Sequence, residues 1–213
     1  MLTSYNLSQL PERAPTQSIP DLMYAIQDTS IPGFVMRDVS IEEVQSIADE
    51  GMEAARLTPQ TEEPRRLTVV AASWLDKQIR LGGNILWGPI PGAPKFDAPL
   101  HVDSAPHHPL RIRFHYTEEG SAEAKLFETC PTSYPNFVKS VSDRGGAMAR
   151  KKALRALKKG MVDDRFLNPE GFSVSTSSGT LLVFRVGGPA VAHAFRTVDS
   201  PRKITMISAE RSD

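Results

Sequence analysis

Cysteine is nearly absent: Cys130 is the only one in 213 residues. A lone cysteine excludes an internal disulfide and suits a reducing compartment. Placed before Pro131 in a polar stretch, it reads as incidental. Net charge is absent too, since 25 Lys and Arg balance 25 Asp and Glu. That balance gives no electrostatic ground for a nucleic-acid partner or a membrane surface. No apolar run approaches the roughly 18 residues that span a bilayer. The opening MLTSYNLSQLPERAP also lacks the charged-then-apolar layout of a secretion signal. The expectation is a cytoplasmic protein. No internal repeat or low-complexity tract is present.

Proline is abundant, with 17 residues, and favours short elements and turns over a helix bundle. Residues 1–20 are polar and proline-containing, and read as a loosely packed arm. A short helix is expected from Asp21 to Gln27, ended before Pro32-Gly33. A clearer one runs from Ser40 to Arg56, where Ser40 and Glu43 form a capping-box pattern and Ile41, Val44, Ile47, Ala48 and Met52 recur at helical spacing.

From Arg66 onward the pattern changes. LTVVAASWL fits a strand or a buried helix, and GGNILWGPIPGAPKF, with Trp87, reads as loop. PLHV, PLRIRFHYT, AKLFE, FSVSTS, GTLLVFRV, AVAHAFRTV and RKITMISAE then follow as short β-like segments rich in β-branched and aromatic residues. Within this run, GGAMARKKALRALKKGM predicts a basic helix over 147–160, either a lid over the barrel mouth or a partner-binding surface. Helices followed by many short strands predict one mainly β, α+β domain over 1–213: a jelly roll, or double-stranded β-helix of cupin-like kind. Its parts are an N-terminal arm (1–33), helical and strand support (34–98), and a core (99–213) with a helical insertion at 131–170.

The chemistry concentrates in two places. HVDSAPHH at 101–108 holds three of the five histidines. In a strand, His101 and Asp103 leave from one face. An imidazole beside a carboxylate supplies two ligands of the facial triad that holds Fe(II), and a distant histidine must supply the third. Alone, a His-x-Asp pair is a weak signal. The second place, VAHAFRTVDSPRKIT, offers His193 in an apolar β-like segment and Arg202 nine residues later. A guanidinium makes paired, charge-assisted hydrogen bonds to carboxylates, so Arg202 can hold the far end of a dicarboxylate whose near end chelates the metal. Arg196 is the alternative, and Lys203 should point to the opposite face. His107 and His108 sit in a Pro-flanked turn and, with Trp87, are candidate substrate contacts.

Together these segments resemble the iron- and 2-oxoglutarate-dependent dioxygenases, especially those of prolyl-hydroxylase type. The shared pattern is His101-Val102-Asp103, the strand RIRFHYTEEG, GTLLVF, His193 and Arg202. FVMRDVSIEEVQSIADEGMEAAR is similar to the helix that precedes the barrel in that family. The usual Gly-Gly pair is replaced by Gly120-Ser121-Ala122-Glu123, and the middle section is longer. The resemblance implies Fe(II) held by His101, Asp103 and His193, with 2-oxoglutarate held by Arg202. On RIRFHYT, Ile112, Phe114 and Tyr116 share one face while Arg111, Arg113 and His115 share the other. If the apolar face points inward, the preferred arrangement, Tyr116 meets the 2-oxoglutarate carboxylate; in the reverse register, Arg113 does. The implied activity is hydroxylation of a small-molecule substrate by molecular oxygen, with succinate and CO2 released. The alternatives are a cupin-type metal enzyme that does not use 2-oxoglutarate, and a non-catalytic binding module on the same fold.

Overall fold

The computed structural model describes residues 6–14, 16–69, 78–81, 84–87, 109–129, 167–187 and 191–211. Among them the chain is mostly β, with two helices packed against a curled eight-stranded sheet. The basic segment 147–160, Cys130 and the first chemical cluster, 101–108, lie outside the described residues. No described helix is long and apolar enough to cross a membrane.

The two helices expected ahead of the strands are present. α1 (Ile19–Gln27) starts at Ser18, whose hydroxyl accepts from the Asp21 N–H at 3.2 Å. α2 (Ile41–Ala55) starts at the expected capping box. There the Glu43 carboxylate accepts from both the N–H and the hydroxyl of Ser40, each at 2.8 Å. Those two bonds hold Glu43 below the usual carboxylate range. At the other end Arg56 takes a left-handed conformation, with φ 52°.

The sheet is organised around one long central strand. In chain order the strands are β1 (Asn6–Gln9), β2 (Gly33–Met36), β3 (Leu57–Pro59), β4 (Arg65–Val69), β5 (Gln78–Leu81), β6 (Asn84–Trp87), β7 (Arg111–Thr129), β8 (Leu167–Ser177), β9 (Thr180–Gly187) and β10 (Val191–Arg211). Along one edge of β7 lie β9 and then β8, both antiparallel; along its other edge β10 runs antiparallel for nearly the whole length. The N-terminal half of β7 thus sits in the order β2-β9-β7-β10-β4, and the C-terminal half in the order β1-β8-β7-β10.

All three long runs are irregular at the same level. β7 turns at Gly120 (φ 77°), the β8–β9 run at Gly179 (φ 79°), and β10 shifts register between Thr197 and Ile204. A Cβ at Gly120 would lie 2.7 Å from the Asp199 carbonyl oxygen and 3.0 Å from Arg202 Cα. Only glycine therefore lets β7 turn so close to β10. Breaks aligned across neighbouring strands bend the sheet, and its two halves come to face each other. Phe184 on one half meets His193 on the other with ring centroids 5.0 Å apart, although β9 and β10 are not hydrogen-bonded neighbours.

The bend creates two apolar clusters. One lies between the helices and the sheet: Met23 and Ile26 of α1 and Val44, Ala48 and Met52 of α2 pack on Ile112, Phe114, Tyr116, Leu181, Val183 and Ile207. The other lies inside the curl, with Leu126, Val174, Leu182, Phe184, Val191 and Phe195. Alternation assigns each residue: 181 and 183 face the helices, while 182, 184 and 186 face inward. Arg185, 1% exposed, follows the helix-facing set and donates to the Ile26 carbonyl and to Glu128, both at 2.9 Å. It ties the C-terminal end of α1 to the sheet and has no place in the interior.

Three local expectations are corrected. Within the expected loosely packed arm, residues 6–14 are tied down: β1 pairs in parallel with β8, Leu10 is buried, and Glu12 bridges to Val35. Apolar Leu10 packs among the inward-facing residues and holds the segment down. The stretch expected as loop around Trp87 contains β6, which pairs with β5 in a separate two-stranded sheet, Trp87 opposite Gln78. The two β-like segments 109–117 and 124–128 fall on one strand, β7, as the two segments of β10 fall on one. A bend at Gly120 and a bulge near Pro201 redirect these strands without ending them.

Candidate functional site

The inward face of the curl carries the polar side chains. His193 stands on β10 opposite Leu126, in a row of buried residues with Val191, Phe195 and Thr197. Its Nδ1 lies 3.0 Å from the Val191 carbonyl oxygen. A carbonyl only accepts, so Nδ1 carries the proton. In the neutral ring Nε2 then carries the lone pair, the arrangement seen in metal-ligating histidines oriented by a backbone carbonyl.

Arg202 follows after the bulge. It is 1% exposed, pairs opposite Val69 of β4, and holds its guanidinium carbon 5.6 Å from the Phe195 ring centroid. The next residue, Lys203, points outward and pairs with Glu119 at 2.6 Å. Arg196 lies on the face of β10 opposite His193, near Lys125 and Glu123. Burial separates the candidates: Arg202 reaches the interior, and Lys203 and Arg196 do not share its face.

β7 supplies the third side. Its register puts His115 opposite Leu182 and Met206, and Arg113 opposite Phe184 and Ser208. Both residues therefore lie on the interior face. His115 is 3% exposed and stacks on Phe195 with centroids 4.5 Å apart and planes 16° from parallel. Burial first, then the positive charges of Arg202 and Arg113 and the neighbouring His193, hold its pKa well below the ordinary histidine value. The ring is neutral at physiological pH. Neither ring nitrogen has a hydrogen-bond partner among the described residues. Leaving a buried polar group so costs about 1–3 kcal/mol.

Tyr116 lies on the other face. It is 5% exposed within the helix-side cluster, and its hydroxyl donates to the Val39 carbonyl at 2.8 Å. The apolar set of this strand turns toward the helices because α1 and α2 supply a larger apolar surface there. The expected inward orientation of Tyr116 is thus corrected: Arg113, the alternative on this strand, shares the face of His193 and Arg202, and Tyr116 does not.

The structure thus gathers His193, Arg202, Arg113, His115 and Phe195 on one interior wall. His101, Asp103, His107 and His108 lie outside the described residues, and for Trp87 only the backbone pairing is described. No group of three or more His, Cys, Asp or Glu suited to a metal occurs among the described residues. Sequence reasoning placed His115 beside Arg113 but gave it no role. The signal was available: three polar residues alternate on a strand whose other face is apolar, and such a strand inside a curled sheet is buried on both faces.

No family model matches the chain, and no curated protein sequence does. Among solved structures it is similar to the PvcB protein of Pseudomonas aeruginosa, with 11% identity, 94% of this chain and 86% of that chain covered, and a TM-score of 0.45. A second structure describes PvcB as an Fe, alpha-ketoglutarate dependent oxygenase from an isonitrile synthetic pathway. It is similar too to the Kdo hydroxylase KdoO, a non-heme Fe(II) alphaketoglutarate dependent dioxygenase, at 11% identity, 99% and 89% coverage, and a TM-score of 0.45. An oxidoreductase of the 2OG-Fe(II) oxygenase family from Burkholderia pseudomallei shares 12% identity over 96% of each chain, with a TM-score of 0.38. These structural neighbours are iron- and 2-oxoglutarate-dependent oxygenases. What each of them binds is a property of that protein, and the reading for this chain rests on its own side chains.

Proposed function

We propose that the chain is a non-haem Fe(II)- and 2-oxoglutarate-dependent oxygenase that hydroxylates a small-molecule substrate. The observation that carries the reading is the pairing, on one buried wall, of a histidine oriented by a backbone carbonyl with an arginine nine residues later. His193 would be one ligand, and His101 and Asp103, read from the sequence, the other two. The donor set of two imidazoles and one carboxylate suits Fe(II) and leaves positions open. Arg202 would hold the distal carboxylate of 2-oxoglutarate, with Arg113 adding positive charge from β7. A guanidinium keeps its charge when buried, so the anion can enter without an unpaired buried carboxylate, which would cost several kcal/mol. Phe184, Phe195 and Leu182 would keep water from the site.

When bound, Fe(II) would let dioxygen take two electrons from 2-oxoglutarate, which would become succinate and CO2, and two from a substrate C–H bond, which would become C–OH. The protein's part is to hold both groups in register and to exclude solvent.

The finer fold reading is a double-stranded β-helix. It is supported by the way β7, the β8–β9 run and β10 each contribute to both halves of the sheet. The soluble, cytoplasmic setting expected from the single cysteine belongs to the same proposal.

The test is an assay of 2-oxoglutarate consumption and succinate release with Fe(II), dioxygen and a metabolite mixture, read by mass spectrometry. Succinate should form only when Fe(II) is present and should vanish in His193→Ala. Release that is indifferent to His193→Ala would overturn the assignment.

A further inference from the structure

We propose that His115 is a second hydrogen-bond donor to the dicarboxylate, acting beside Arg202 on its distal carboxylate. The inference rests on the co-substrate reading above and names a residue that reading leaves without a role.

Position comes first. His115 and Arg202 lie on neighbouring strands, β7 and β10, and both face the interior. Both pack on the same ring: His115 stacks on Phe195 at 4.5 Å between centroids, and the Arg202 guanidinium carbon lies 5.6 Å from that centroid. The stack fixes the imidazole plane and leaves its edge, where the nitrogens are, for hydrogen bonding. Along β10 Phe195 comes between His193 and Arg202, and its ring centroid lies 6.1 Å from that of His193. The wall therefore runs from the candidate metal ligand, past Phe195, to the imidazole and the guanidinium. An elongated ligand that chelates at one end and carries a carboxylate at the other matches that order.

The chemistry agrees. Both ring nitrogens of His115 are buried and have no partner among the described residues. A purely structural buried histidine normally satisfies at least one of them. In either protonation state an imidazole offers at least one N–H. A carboxylate has lone pairs for that N–H as well as for the two N–H groups of an arginine fork. Tyr116, the neighbouring candidate, already donates to Val39 on the opposite face.

The experiment is calorimetric titration of 2-oxoglutarate into the full chain loaded with Mn(II), a redox-silent stand-in for Fe(II). It compares wild type, His115→Phe, His115→Gln and Arg202→Ala. Phenylalanine keeps the stack on Phe195 and removes the donor, so His115→Phe should bind about tenfold more weakly, or about 1.4 kcal/mol. His115→Gln, which retains an N–H, should recover part of the loss. A merely structural role predicts wild-type affinity in His115→Phe, and that result overturns the inference. The two readings separate cleanly: if Arg202→Ala weakens binding and His115→Phe does not, only the role of His115 falls. If neither variant changes affinity, the co-substrate reading falls and takes this one with it. Should His115→Phe not fold, nitrogen-15 spectra of histidine-labelled wild type decide. The His115 ring signals should shift when 2-oxoglutarate is added, and unshifted signals at saturation overturn the proposal.

Discussion

The two faces of the N-terminal half of β7 could hardly differ more. Toward the helices stand Ile112, Phe114 and Tyr116, packed among apolar neighbours, with the single hydroxyl engaged by a backbone carbonyl. Toward the interior stand Arg113 and His115, facing Arg202 and His193. Burying a polar group is unfavourable unless it is satisfied, so a face built only for stability would resemble the first. The difference teaches that the helix side of the sheet is built for stability, while the inside of the curl carries the polar groups on which the proposed binding role rests. The two can be perturbed separately.

The largest effect should come from the helix side. Phe114 is fully buried, and Gly51 of α2 sits so close that an added Cβ would be 3.1 Å from its ring. Phe114→Ala should cost about 3–5 kcal/mol of unfolding free energy in urea titrations, through loss of burial and a cavity. Those molecules still folded should bind 2-oxoglutarate nearly as wild type does.

Arg202→Ala should do the reverse. Its 2-oxoglutarate requirement should rise at least tenfold, corresponding to about 1.4 kcal/mol or more of lost binding. Metal affinity should change little, as measured by equilibrium dialysis, because the guanidinium is not a ligand. A smaller effect is expected for Tyr116→Phe. Loss of the bond to Val39 should cost about 1 kcal/mol of stability with no change in 2-oxoglutarate affinity. A fall in affinity there would erase the distinction between the faces. Smallest of all is Lys203→Ala: it removes one exposed ion pair with Glu119, which solvent screens, and should leave both stability and binding nearly untouched.

Much of this arrangement is legible in the sequence, and what is not has a physical reason. The capping box at Ser40 and Glu43 marks α2 because its signal is local, carried by two residues and the periodicity after them. β9 reads clearly because eight consecutive residues, Thr180–Gly187, are buried. The boundaries within β7 and β10 do not: a turn residue such as Gly120 or Pro201 looks the same whether it ends a strand or bends one. β6 is hidden by the glycines and prolines that flank it. Arg202 and Lys203 are separated correctly by alternation, counted from their own strand. The orientation of RIRFHYT is beyond such counting. Period two fixes which residues share a face but not which face is inside, and both are buried here. The helices decide that, and they lie more than fifty residues earlier. The pairing of His101 and Asp103 with His193 remains a reading of the sequence.

The central claim is that His193 belongs to an iron site and Arg202 to the anion beside it. Anaerobic equilibrium dialysis of Fe(II), with and without 2-oxoglutarate, tests both at once. Wild type should retain one Fe(II) per chain, bound more tightly when 2-oxoglutarate is present. His193→Ala should lose the metal, and Arg202→Ala should keep it but lose the tightening. Undiminished Fe(II) binding by His193→Ala would contradict the account.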